Sequence, residues 1–450
     1  MSVNPTEARE IVHALRSGAV PQLGLHHFAT GLDALMTVVE GELDYVAEGT
    51  GRGLAKWVRG EYGSGKTFAT RLLCARARAR RFATSEVQIS INDTPLQHLE
   101  TVYRRLIERL TTDAEGGGAF RAVVDGWLFE VGEEVSRLKG IAEDDPGFAK
   151  AVEERLEDKL AELSARNPAF AQTLRAYHRA VQEDELGAAQ GLLAWLAGQP
   201  HVDRSVTARA GMKGSVDGQA ALSFLRGLLL LLRQSGHAGL VVVLDEVETI
   251  QRLNAQTREK SLNALRQLVD MLLNAELPGL YLVVTGTPEF FEGYKGIKSL
   301  APLYQRVATR FDADPRFDNL RAVQVRLPAF DGDRLHEVGR KVRDLYPASE
   351  PERLGKLADD RFLQALVESV ASGFGGRISV APRTFLRELV DVLDRVDQNA
   401  DYDPGQHYEL SIDEASLSPQ ELAAVRGTTE SEDGEEPAGG AKPRARRLEG

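Results

Sequence analysis

The chain is poor in several things that would fix its class at once. It has one cysteine, Cys74, in 450 residues, so no internal disulfide can form and the disulfide-stapled secreted scaffolds are excluded. The ordinary reading of that thiol is a small core residue, and a redox role is the alternative. Long apolar runs are missing as well. The best one, Leu225 to Leu232, is short and broken by Arg226 and Gly227, and the N-terminus lacks the basic-then-apolar pattern of a signal peptide. A cytoplasmic protein with no membrane contact is expected. Positive charge is also in short supply: 55 Lys and Arg face 67 Asp and Glu, a net −12. The average field therefore repels polyanions, and any nucleic-acid contact has to come from local basic patches. Hydrophobic residues at 42% still suffice for packed cores, which excludes disorder of the whole chain.

What the chain does have is a phosphate-binding pattern. Gly60-Glu61-Tyr62-Gly63-Ser64-Gly65-Lys66-Thr67 fits G-x-x-x-x-G-K-[ST] at every fixed position, with Phe68 next. Such a loop works because glycines let backbone N–H groups curl around phosphates, a lysine neutralises their charge and a Thr hydroxyl can sit on Mg²⁺. The flanks agree with that use. Leu54 to Arg59 alternates like a strand and Phe68 to Arg80 has helical spacing, so the loop opens a helix. ATP with Mg²⁺ is the expected ligand, held by Gly60 to Phe68.

Further strands are expected at 86–91, 240–244, 280–285 and 322–327, with helical spacing between them. Strands alternating with helices argue for a five-stranded parallel sheet covered on both faces, in an α/β fold. Asp93-Thr94-Pro95 reads as a helix start before Leu96, Leu99, Tyr103, Leu106 and Leu110. The expected organisation is a helical lead-in over 1–50 and a core over 51–330 that carries a helical insertion at 111–236. Beyond the core come a helical lid domain over 331–400, an extension over 401–426 and a disordered tail over 427–450. Within the insertion, 133–163 reads as a solvated charged face. Arg204, Arg209 and Lys213 make a modest basic loop that is either a contact surface or simply solvated.

Four places invite a chemical role. Asp245-Glu246 follows four apolar residues, and Thr285 and Thr287 end the next buried strand. Arg306 and Arg310 stand four apart, on one face if the segment is helical, and could equally pair with Asp312 or Asp314. Arg383, with Arg387 second, opens a lid helix behind Pro382.

Taken together these features resemble the AAA+ class of P-loop ATPases, nearest its ORC/Cdc6-like and STAND-like members. Ala8 to Gly18, Gly60 to Thr67, Asp93 to Leu96, Leu244 to Glu248 and Ala381 to Val390 resemble, more narrowly, the BrxD-type ATP-binding proteins of bacterial BREX phage-defence systems. The resemblance implies that Lys66 and Glu246 are catalytic, with Asp245 and Thr67 on Mg²⁺. It further implies that Thr285 or Thr287 senses the γ-phosphate, that Arg306 or Arg310 reaches a neighbouring subunit, and that Arg383 reaches back from the lid. The activity it implies is that of an ATPase that forms homo-oligomers and works with DNA and other defence proteins. The alternative is a nucleotide-dependent switch that recruits proteins without touching DNA. No winged-helix domain is legible after the lid, so DNA contact would fall to the insertion, the 201–213 loop or the tail.

Overall fold

The computed structural model describes residues 3–48, 52–212, 214–374, 382–409 and 422. Five strands, β1 (Leu54–Arg59), β2 (Phe82–Gln88), β3 (Gly239–Asp245), β4 (Leu280–Gly286) and β5 (Gln324–Arg326), form one parallel sheet in the order β2-β3-β4-β1-β5. The register sets Gln88 beside Asp245 and Arg59 beside both Gly286 and Arg326. All the strands thus end at one carboxyl edge, the edge where open α/β sheets bind ligands.

The expected strands differ from the observed ones in one instructive way. β2 starts at Phe82 rather than at 86, and it carries Thr84 and Ser85 fully buried. Ser85 Oγ donates to Leu106 O at 2.8 Å, and Thr84 exchanges backbone bonds with Thr111. These polar groups are satisfied inside the protein, so a strand survives where its apolar pattern looks broken.

Alternation along the strands splits the apolar side chains between two cores. Leu240, Val242, Leu244, Leu282 and Val284 face one, while Val241, Val243, Tyr281 and Val283 face the other. The first is covered by α4 (Leu99–Glu108), by the insertion helices α5 (Phe120–Lys139), α6 (Phe148–Arg166), α7 (Pro168–Gln182), α8 (Leu186–Leu196), α9 (Arg204–Arg209) and α10 (Gly218–Gln234), and by α11 (Ala255–Leu273). Phe224 anchors it, meeting Tyr103, Phe170 and Trp195 edge-on at 5.3–6.0 Å. Residues 93–95 are not a helix start. The Asp93 and Thr94 amides donate to Ser90 Oγ, each at 3.0 Å, and the resulting turn delays α4 to Leu99.

The second core joins the two ends of the described chain. On it lie α1 (Pro5–Arg16), α2 (Asp33–Ala47) and α3 (Lys66–Ala79), with α14 (Gly332–Leu345), α15 (Pro351–Leu357), α16 (Asp360–Gly373) and α17 (Pro382–Gln398) from the lid. Two short helices, α12 (Pro288–Glu292) and α13 (Ala301–Val307), come after β4, and α18 (Pro404–His407) comes after the lid. α1 is capped by Asn4, which accepts from the Thr6 amide, and it buries Ala8, Ile11, Val12 and Leu15 at helical spacing. Arg16 grips Asp394 of α17 with two bonds of 2.7 and 2.8 Å, and Tyr346 donates to the same carboxylate at 2.8 Å. Lys341 of α14 donates to Ala29 O at 2.7 Å. The segment before β1 is thereby fastened to α14 and α17. Lys213, residues 375–381 and the tail lie outside the described residues. Among the described residues no helix is long and apolar enough to cross a membrane.

Candidate nucleotide site

β1 runs straight into the 60–65 loop and α3 leaves it, so the first amides of a 14-residue helix point into the turn. Two glycines are required here. A Cβ on Gly60 would lie 2.3 Å from Ser64 Oγ, and Gly65 has φ +82°, a left-handed conformation that side chains disfavour. Lys66, 8% exposed, donates to Gly60 O at 2.9 Å and to Glu61 O at 3.2 Å, with Nζ 5.1 Å from the centre of the Tyr62 ring. The loop lysine is therefore held at the mouth of the turn by two carbonyls, with the Glu248 carboxyl 3.9 Å away. A phosphate would offer the lysine stronger, charge-assisted bonds than these carbonyls do.

Opposite the loop, Thr67 Oγ1 donates to Asp245 Oδ2 at 2.9 Å, and Thr285 Oγ1 donates to Asp245 Oδ1. Two hard oxygen donors from Thr67 and Asp245, side by side at a helix N-terminus, suit Mg²⁺. Glu246 has φ +59°, costly for a residue with a side chain. The turn is held because its amide donates to Thr285 Oγ1 at 3.2 Å and to Asp245 Oδ1 at 3.1 Å. Gln88 at the end of β2 donates to Glu246 Oε2 at 2.9 Å.

A cavity of about 330 Å³ opens in front of these groups. Its polar end is Gly63 to Thr67 with Asp245 and Glu246. Its apolar end is built from Val20, Pro21 and Phe28 near the N-terminus and from Phe330 before α14, Val338 of α14 and Leu386 of α17. Phe68 also lines it and meets Phe28 edge-on at 5.2 Å. Polar at one end and apolar at the other, within the size range of ligand sites, the cavity fits a nucleotide.

The remaining expected residues are distributed unevenly. Arg383 lines the cavity and packs over Gly18, whose added Cβ would meet its Nε at 2.8 Å. Arg387 instead lies 3.6 Å from Glu388. Thr287 is turned to local work: it caps α12 by accepting from the Phe290 amide at 3.4 Å. Arg306 and Arg310 do not share a helix face, because α13 ends at Val307. Arg306 is ion-paired with Asp270 at 2.5 Å. Arg310 is exposed, and Asp314 pairs with Arg316 rather than with it. The Asp312 carboxylate accepts from the Asp314 amide at 3.1 Å.

Three further groups belong to the site without announcing themselves in the sequence. Gln88 and Arg334, the latter on the cavity wall, carry no motif signature. Glu248 is the third. It is 5% exposed, stands 3.9 Å from Lys66 Nζ, and has both carboxyl oxygens buried without a hydrogen bond. Burial pushes its pKa up to about 7 against the pull of Lys66, and the nearby Asp245 and Glu246 carboxylates raise it further. Its one sequence signal is a second acid two residues after Glu246, which by itself reads as surface charge.

A parallel sheet in this order, with the phosphate loop after β1 and the acidic pair after β3, is the arrangement of a P-loop nucleotide-binding fold. Within that class the chain belongs to the BREX system ATP-binding protein BrxC/D family, whose family model matches residues 3–412. Among solved structures it is similar to the ORC2 protein of Aeropyrum pernix in ADPNP–ADP complexes, at 12% identity and a TM-score of 0.36, over 84% of this chain and 70% of that one. No curated protein matches the sequence.

Proposed function

We propose that this protein binds ATP with Mg²⁺ and hydrolyses it in the cytoplasm, as an oligomer that acts on DNA together with other phage-defence proteins. The observation that carries the reading is the linked set Thr67–Asp245–Thr285–Glu246 facing Lys66 across one cavity. Adenine would lie between Phe28 and Phe330, and the phosphates against the α3 N-terminus. Mg²⁺, when bound, offsets phosphate charge. Lys66 leaves its two carbonyls for the β- and γ-phosphates. Glu246 orients a water for in-line attack and takes up its proton at the carboxylate. Gln88 holds Glu246 Oε2, which leaves Oε1 to take the water.

Phosphate release, measured with and without duplex or single-stranded DNA, tests the reading. Glu246→Gln should bind ATP normally while turnover falls roughly 10²–10⁴-fold, and normal turnover in that variant would refute the role. DNA that neither binds nor alters turnover would remove the DNA part alone. Arg310, exposed and on no helix, is the better candidate for reaching a neighbour's nucleotide. Mixing Arg310→Ala with Lys66→Ala protein should then restore part of the activity, and a confirmed mixed oligomer that stays inactive overturns that assignment.

A second reading, a switch that recruits proteins without DNA, is favoured by the net charge of −12 and by Arg209, which is tied to Glu185 instead of being left for phosphate. Partners captured from nuclease-treated lysate that change with ATP would support it over the first.

A further inference from the structure

One cluster of ligand-bearing side chains has no part in nucleotide chemistry. Glu7 of α1 and His26 and His27 of the short 3₁₀ turn Leu25–His27 bring a carboxylate oxygen and two imidazole nitrogens within 4.8 Å of one another. Adjacent side chains on a chain usually diverge. Here the two rings lie with centroids 3.9 Å apart, tilted by 38°, and His27 Nε2 stands 3.3 Å from Glu7 Oε2.

The fold builds this convergence. Gly24 has φ +69°, and a Cβ there would come within 2.5 Å of Ile11 Cδ1 and 3.0 Å of Glu7 Cγ, so only glycine lets the turn close on α1. Leu25 and Phe28, 2% and 3% exposed, pin the turn from both sides. His27 and Glu7 are partly covered, and His26 is open to water.

We infer that Glu7, His26 and His27 form a site for a divalent transition ion of the zinc class, with water in the remaining position. Two imidazoles and one carboxylate are the donor set of such ions. Mg²⁺, which prefers oxygen ligands, suits it poorly, so this site and the one at Thr67 and Asp245 select different metals. The ion would tie α1 to the turn that carries Phe28, one wall of the nucleotide cavity.

The test uses the full chain without an affinity tag, stripped with chelator and titrated with Co²⁺, whose visible absorption reports nitrogen ligation, followed by displacement with Zn²⁺. Saturable absorption from one site is expected. His26→Gln, an exposed substitution, and Glu7→Gln should each weaken Co²⁺ binding by at least about tenfold, by comparison with the loss of an outer partner of a metal ligand. Zn²⁺ should raise the melting temperature of the wild type and not that of His26→Gln. Absence of nitrogen-ligated absorption at millimolar Co²⁺, or variants that bind like the wild type, overturns the inference. Neither result depends on ATP hydrolysis.

Discussion

The two faces of the sheet are covered in opposite ways. One carries helices that succeed one another in the chain, α4 to α10 with α11, around the Phe224 aromatic cluster. The other is roofed by α1 and α2 from one end of the chain and α14 to α17 from the other, with α3 between. The difference teaches where binding energy can act. A face built from one contiguous stretch is complete without a ligand. A face built from two distant segments has a seam, and the nucleotide cavity is that seam.

Three measurements separate the faces, beginning with the largest effect. Phe224→Ala should cost about 3–5 kcal/mol of stability, read by denaturant unfolding, while the folded fraction keeps wild-type ATP affinity. A large change in affinity would mean that the insertion face reaches the site. Glu248→Gln acts at the seam. A carboxyl whose pKa is raised on folding, here to about 7, contributes stability that is fully present below its unfolded value and is lost as pH rises through 7. The nucleotide-free protein should therefore lose up to about 3 kcal/mol from this group between pH 4.5 and 8. The Gln variant should flatten that slope, and an unchanged slope would show that the buried carboxyl is not its source. Arg16→Ala should alter stability by under about 1 kcal/mol, since Arg16 is half exposed. It should weaken ATP binding more than it weakens the fold, and equal effects on both would make the α1–α17 contact merely structural.

How far the sequence can be read obeys the same division. The loop at Gly60 to Thr67 and the acid at Asp245 are visible because their chemistry needs fixed spacings beside regular strands. Glu248 and Gln88 are not, since burial and a cross-strand bond give a residue its role without any local pattern. Polar Thr84 and Ser85 hide the start of β2, and Ser90 moves a helix start by capturing two amides. The end of α13 before Arg310 depends on backbone geometry that two arginines four apart do not encode. Least legible is the apolar half of the cavity. Val20, Pro21 and Phe28 line it together with Phe330 and Leu386, which lie some three hundred positions further along the chain, and no window of sequence holds both.

That last arrangement also sets an order in time. On the ribosome the phosphate loop and its acidic partner are finished long before Pro382, Arg383 and Leu386 are made, and until then the cavity lacks that part of its lining. A nascent chain stalled before α17 would carry an intact motif yet should hold nucleotide less well than the finished chain.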